Sequence, residues 1–165
     1  MIAGRYGSVG LVVLALLPIA ALAAWVLARG RLRAGLAQAT AWRTAVAEVG
    51  IVYGTAPWVW LTMEPGSKDG VNFSLLRDLV GMPPYQVVGN LLVFAAFGFF
   101  APLRFPALAS VPRVLAAAAV GSLVIETLQY VLPMGRVSSV DDVLLNSAGA
   151  GLAALASRRW WRHPG

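Results

Sequence analysis

Five long apolar segments alternate with more polar loops along the chain. A membrane-spanning helix needs about 20 mostly apolar residues, because each residue adds about 1.5 Å along the helix axis. Segments of about that length occupy residues 8–28, 44–63, 85–103, 111–132 and 141–157. The pattern predicts an all-α fold: a polytopic integral membrane helix bundle with about five transmembrane helices.

The second segment is the weakest of the five, since it contains Glu48 and Pro57. The longest polar stretch follows it at residues 64–84, and its glycines and prolines predict a structured external loop with a short surface helix near residues 74–80. We therefore divide the chain into an N-terminal two-span region with this loop, a three-helix core and a basic tail. These three parts cover residues 1–84, 85–157 and 158–165.

The composition indicates lipid rather than water as the main solvent. Hydrophobic residues make up 59% of the 165 residues and charged residues only 12%. An average soluble domain is about 25% charged, and a disordered chain is far less apolar than this one. The sequence has no cysteine, and its one histidine is His163 in the tail. The sequence therefore lacks the residues for disulfides, thiolate nucleophiles and histidine-based sites. We predict no cofactor and no metal.

Membrane topology explains the net charge of +6. With five spans, the loops after the first and third spans and the C-terminal tail lie on one side of the membrane. Nine of the thirteen lysines and arginines lie on that side: Arg29, Arg31, Arg33, Arg43, Arg104, Arg113, Arg158, Arg159 and Arg162. Positively charged loops stay in the cytoplasm, so we predict the N-terminus outside and the C-terminus in the cytoplasm. The basic charge then does not indicate a nucleic-acid partner.

The first segment allows a second interpretation. Arg5, an apolar run and the sequence Ala21-Leu22-Ala23 resemble a secretory signal with its cleavage site. Cleavage would leave the first arginine-rich loop outside, against the charge rule. We therefore predict a retained span and keep a cleaved signal as the alternative.

Several polar side chains lie within the apolar segments, where an ionisable group is costly and usually faces a partner or a wet cavity. Ser122, Glu126 and Gln129 share one helical face because they are four and three residues apart. At about 1.5 Å per residue, Asn90, Glu126 and Asn146 each lie roughly 8–9 Å below the outer end of their segments. This shared depth predicts one outward-facing polar pocket. Its candidate binding residues are Asn90, Glu126, Gln129, Arg136, Asp141, Asp142 and Asn146.

Structural roles stay open for the same residues. Ser139-x-x-Asp142 fits a helix capping box, and acids at a helix start suit the helix dipole. The other structural roles are a helix start for Asn90, a link between helices for Gln129, and an ion pair with Arg136 for Glu126. We also predict that Glu48 pairs with Arg43 as a structural contact.

Four motifs in this region resemble the VanZ-like membrane protein family. The sequence NLLVFAAFG at 90–98 resembles the family's Asn-x-x-x-Phe-x-Pro-Phe-Gly helix, and ETLQ at 126–129 resembles its Glu-x-x-Gln helix. Gly135-Arg136 followed by DDVLLNSAG at 141–149 resembles its Gly-Arg…Asp-Asp-x-x-x-Asn-x-x-Gly segment. The resemblance covers residues 87–155. Two positions depart from it: Ala96 replaces a frequent proline, which predicts a straighter third helix, and Ser139 replaces a frequent acid.

The resemblance implies a multi-pass protein of the bacterial cytoplasmic (inner) membrane and a role in the cell envelope, since the family's name-giving member is linked to resistance to the glycopeptide teicoplanin. We expect the pocket to bind or modulate an envelope lipid, an envelope precursor or an amphiphilic antibiotic, with membrane lipids as the other partners. One alternative is an enzyme in which Glu126, Asp141 and Asp142 act as general acid and base or hold a divalent cation. No nucleophile motif identifies catalytic residues. Another alternative is a small ion- or proton-coupled transporter, and no oligomeric state is predicted.

Overall fold

The computed structural model describes residues 2–64, 70–72, 81–132, 135 and 137–162. Its long helices are α1 Ile2–Arg33, α2 Gln38–Thr62, α3 Pro84–Val93, α4 Ala95–Arg104, α5 Val111–Val131 and α6 Val140–Arg162. Two three-residue strands, β1 Gly70–Asn72 and β2 Val137–Ser139, pair in parallel and place Asn72 opposite Ser139. The architecture is a helix bundle, which confirms the predicted fold class.

Within the described residues, three helical segments are long and apolar enough to cross a membrane. They are Gly10–Arg33, Pro84–Arg104 and Val111–Val131, and they correspond to the first, third and fourth predicted spans. Helices α2 and α6 lie at the second and fifth positions and have 25 and 23 residues. They are less apolar, because α2 contains Arg43 and Glu48 and α6 begins with two aspartates. The chain is therefore a membrane protein by composition, and the count of five spans stays a prediction.

The third predicted span consists of two helices. Phe94 lies in a turn between α3 and α4 with φ −112° and ψ 12°, so alanine at position 96 does not give one uninterrupted helix. The side chain of Ala96 instead faces α2. A Cβ atom added to Gly54 would lie 2.4 Å from the Cβ atom of Ala96, so only a glycine at position 54 allows this approach.

Helix α6 is the central element and packs against α3, α4 and α5. Small residues allow these contacts to be close. A Cβ atom on Gly149 would lie 1.9 Å from the carbonyl oxygen of Leu91, and one on Gly98 would lie 2.1 Å from that of Ala150. The buried core between α5 and α6 consists of Val114, Ala118, Ala150 and Ala154. Small side chains of this kind are typical where membrane helices pack without a hydrophobic driving force.

Helix α1 lies at the periphery and packs on α2. Its large apolar side chains are mostly exposed, whereas Ala24 and Ala28 are buried. The hydroxyl group of Tyr53 donates a hydrogen bond of 2.5 Å to the carbonyl oxygen of Val13. An apolar cleft of about 910 Å³ remains between the two helices. Such exposure carries little cost in lipid, because lipid tails are as apolar as leucine side chains.

Candidate functional site

Polar side chains from three helices meet at one end of the bundle. This end holds the last turns of α2 and α5, the first turns of α3 and α6, and the β1–β2 pair. We call it the polar end. It is defined by Asn90, Ser122, Glu126, Gln129, Ser139, Asp141, Asp142 and Asn146.

Helix α6 is joined to α3 and α5 by two side-chain hydrogen bonds. The amide nitrogen Nδ2 of Asn90 donates to Oδ1 of Asp142. One turn further along α6, Nδ2 of Asn146 donates to Oγ of Ser122 at 2.7 Å. Three of the seven predicted site residues, Asn90, Asp142 and Asn146, therefore lie along one strip where α6 contacts α3 and α5.

The start of α6 is capped by groups from two parts of the chain. The backbone N–H of Asp141 donates to Oγ of Ser139 at 3.2 Å, and the backbone N–H of Ser139 donates to Oε2 of Glu126 at 3.2 Å. A capping box would supply this second acceptor from a residue on the same helix. Here the carboxylate comes from α5, so Glu126 fixes the position of β2 and of the first turn of α6.

Gln129 joins α5 to the end of α2. Its Nε2 atom donates to the carbonyl oxygen of Thr62 at 2.6 Å, and the residue is 5% exposed. The last carbonyl groups of a helix have no partner within the helix, so this bond satisfies one of them. Asp141 is also withdrawn from the surface at 1% exposure, which leaves Asn90, Glu126 and Asp142 as the more accessible predicted residues.

Asn146 has a buried acceptor without a partner. The residue is 2% exposed, and its Oδ1 atom accepts no hydrogen bond, although Nδ2 is bonded to Ser122. A buried polar atom left unpaired costs about 1–3 kcal/mol, so most such atoms bind a water or a ligand. The polar end thus contains an acceptor that a hydrogen-bond donor can still satisfy.

Arg136 lies outside the described residues, and so does its predicted ion pair with Glu126. The same holds for the predicted surface helix near residues 74–80. Of the seven candidate residues, the structure describes the other six, and all six lie at the polar end.

A second charged cluster lies at the opposite end of the bundle. Glu48 forms ion pairs with Nη2 of Arg31 and Nε of Arg104, and Nη1 of Arg31 also donates to Oγ1 of Thr44 at 3.0 Å. The predicted pairing with Arg43 is wrong. Five residues along a helix correspond to a rotation of about 140°, so Arg43 and Glu48 lie on different faces of α2.

This second cluster, which we call the arginine end, connects the last turns of α1 and α4 to the first half of α2. Glu48 and Thr62 are roughly 21 Å apart along α2, at about 1.5 Å per residue. The polar end and the arginine end are therefore separated by most of the thickness of a hydrocarbon layer, which is about 30 Å.

Two features of the polar end were not predictable from residue types. The carbonyl oxygen of Thr62 and the backbone N–H of Ser139 are main-chain groups, and every residue carries such groups. Ser122 did carry a signal, because it lies one turn before Glu126 on the same face.

Among the described residues, no group of three histidines, cysteines, aspartates or glutamates is arranged to hold a metal ion.

Comparison with protein families gives one match. The family model described as VanZ/LLP1 matches residues 44–161, which is more than two thirds of the chain. The matched range runs from α2 to α6 and includes every residue of the polar end. No curated protein and no solved structure matches the chain.

Proposed function

Since the chain belongs to the VanZ/LLP1 family, we propose that it is a multi-pass protein of the bacterial cytoplasmic membrane that binds an envelope component at its polar end. The ligand is the polar head of an envelope lipid or lipid-linked precursor, or an amphiphilic antibiotic of the glycopeptide type. Binding of this kind modulates the susceptibility of the cell to such antibiotics. The observation that carries the proposal is the convergence of amide and carboxylate groups from α3, α5 and α6.

The chemistry of these groups supports a ligand rich in hydrogen-bond donors. Ionised carboxylates accept hydrogen bonds only, and Oδ1 of Asn146 is an acceptor without a partner. Sugar hydroxyls and amines supply the complementary donors. The hydrogen bonds between helices hold the acceptors on rigid elements, which reduces the ordering cost of binding.

The two ends support an orientation in which the polar end faces outward. Arg31 and Arg104 lie in the last turns of α1 and α4 and share Glu48, so these two helix ends lie on the same side. The link from Gln129 to Thr62 brings the ends of α2 and α5 together on the other side. This is the alternation that five spans require, with the arginine-rich loops in the cytoplasm.

Complementation of a deletion strain tests the proposed binding. We expect deletion to increase susceptibility to teicoplanin or another envelope-active antibiotic, and the wild-type chain to restore resistance. Glu126→Gln keeps an oxygen that can accept from Ser139, but it removes the charge at the site. At equal membrane abundance we expect this variant and Arg136→Ala to lose most of the protection.

Thr127→Val is the matched control. Thr127 lies next to Glu126 on α5 but is exposed on another face, and its hydroxyl group donates to the carbonyl oxygen of Leu123 within its own helix. This variant should protect as well as the wild type. Full protection by Glu126→Gln and Arg136→Ala, or an unchanged susceptibility of the deletion strain, would contradict the proposal.

A further inference from the structure

A separate cavity of about 640 Å³ lies between the first turn of α5 and the last turns of α6. It is lined by Ser110, Val111, Pro112, Leu155, Arg158 and Trp161, among others. The first turn of α5 lies roughly 27 Å along that helix from Gln129, at about 1.5 Å per residue. The cavity is therefore at the arginine end, and none of its residues belongs to the polar end.

Arg158 carries an unmatched donor in this cavity. Its Nε atom is buried and has no hydrogen-bond partner. Both ion pairs among the described residues use Glu48, so they do not neutralise the guanidinium group of Arg158. The residue as a whole is half-buried and lines the cavity, and the planar guanidinium fork fits phosphate oxygens closely. The wall of the cavity thus contains a cationic group that forms no ion pair with a described acid.

The start of α5 adds to the positive potential of the same cavity. Val111 begins this 21-residue helix, and Ser110 precedes it in an extended conformation without a side-chain capping bond. Pro112 has no N–H group and the N–H of Ser110 donates to the carbonyl oxygen of Leu108, so the N–H groups of Val111 and Arg113 remain at this helix start. These two groups and the helix dipole favour an anion. Arg113 lies in the same turn, where its Nη1 atom donates to the carbonyl oxygen of Ala107 at 3.0 Å. Glu48, the described acid at this end, is already paired with Arg31 and Arg104.

The other walls of the cavity are apolar. Leu155 and Pro112 contribute aliphatic surface, and the indole ring of Trp161 is held by a hydrogen bond of 3.1 Å from Nε1 to Oγ of Ser157. The cavity therefore has a cationic group beside apolar and aromatic walls. A phospholipid has the complementary arrangement, with a charged phosphate group beside apolar chains.

We propose that this cavity binds a phosphate group, with the Arg158 guanidinium and the first turn of α5 as its contacts. The phosphate belongs either to an anionic phospholipid of the leaflet at the arginine end or to a soluble phosphate. This site is independent of the ligand proposed for the polar end.

Binding is tested on the full chain purified in a maltoside detergent, which contains no phosphate. Phosphatidylglycerol is added in one arm and inorganic phosphate in the other, and binding is followed by the melting temperature and by native mass spectrometry. Because a hydrogen bond to a charged group contributes about 1.5–3 kcal/mol, we expect Arg158→Gln to raise the dissociation constant about tenfold or more.

Arg159→Gln is the matched control, since it removes the same charge one residue further along α6. The guanidinium group of Arg159 lies 4.2 Å from the ring centroid of Trp160 and does not line the cavity. This variant should bind like the wild type. Ser110→Leu places a larger apolar side chain beside the first turn of α5 without changing any charge and should also weaken binding, which keeps the test decisive if Arg158→Gln fails to fold.

Each outcome decides the proposal. Binding of phosphatidylglycerol without binding of inorganic phosphate supports a lipid site. Saturable binding of inorganic phosphate supports a soluble source. In either case, the proposal requires that Arg158→Gln loses the binding. Equal binding by the wild type and Arg158→Gln would overturn the site, as would absence of binding in both arms. Equal weakening by Arg159→Gln would show general surface attraction and would overturn it too.

Discussion

At the scale of single residues, Asn146 combines a satisfied donor with an unsatisfied acceptor. Its Nδ2 atom is bonded to Ser122, while Oδ1 is buried without a partner. An apolar residue of similar volume would avoid the cost of that buried oxygen. The asparagine therefore contributes little to stability for a residue in such a central position, and the proposed ligand would pair with its free acceptor.

Asn146→Leu separates the two roles. The hydroxyl group of Ser122 can turn to a carbonyl oxygen of its own helix when the asparagine is removed. We expect an unchanged or higher melting temperature in detergent and a loss of antibiotic protection in complementation. A marked fall in melting temperature with full protection would instead show that the residue only holds α6 to α5.

At the scale of elements, glycine contacts determine how closely α6 approaches α3 and α4. Gly149 and Gly98 leave no room for a Cβ atom, because backbone atoms of the neighbouring helix occupy that space. The hydrogen bond from Asn90 to Asp142 forms between the same two helices, α3 and α6. Any widening between them therefore acts on stability and on the polar end at once.

Gly149→Ala tests this contact, with Gly89→Ala as its control. The new Cβ atom at position 149 would overlap the Leu91 carbonyl, whereas nothing lies within 4 Å of one at position 89. Since overpacking a tight contact costs about 1–3 kcal/mol, we expect Gly149→Ala to lower the free energy of unfolding by that amount. Gly89→Ala should not lower it. Chemical denaturation in detergent measures both, and equal stability of the two variants would refute the tight contact.

The sequence predicted the positions of the helices and the depths of polar residues better than the partners of individual side chains. Apolar length alone located the helices, and depth along each segment placed Asn90, Glu126 and Asn146 at one end. The interruption at Phe94 carried no such signal, because no proline or glycine marks that turn. The partners of Glu48 were missed because they come from other helices, and spacing along one helix cannot indicate how its neighbours are rotated.

At the scale of the whole molecule, two chemically different ends face opposite ways. The polar end contains acids and amides, whereas at the arginine end Arg31 and Arg104 pair with Glu48. The number of spans and the orientation depend on each other, since an odd number of crossings separates the two termini. A test of orientation at the two ends of α5 therefore also tests whether this helix crosses the membrane.

Single cysteines in this cysteine-free chain report the orientation. Leu132→Cys at the end of α5 and Ala107→Cys before α5 are both at exposed positions. We expect a membrane-impermeant maleimide to label Leu132→Cys in intact cells and Ala107→Cys only after permeabilisation. The reverse pattern would place the polar end in the cytoplasm, and labelling of both in intact cells would show that α5 does not cross.

The space between α1 and α2 makes the surrounding bilayer part of the packing of the protein. A gap of about 910 Å³ beside a helix with mostly exposed apolar side chains has to be filled by mobile hydrocarbon chains. Helix α1 therefore obtains many of its van der Waals neighbours from its solvent, whereas α6 obtains them from the protein. Bilayer thickness and detergent chain length should consequently affect the tilt of α1 much more than the geometry of the other five helices.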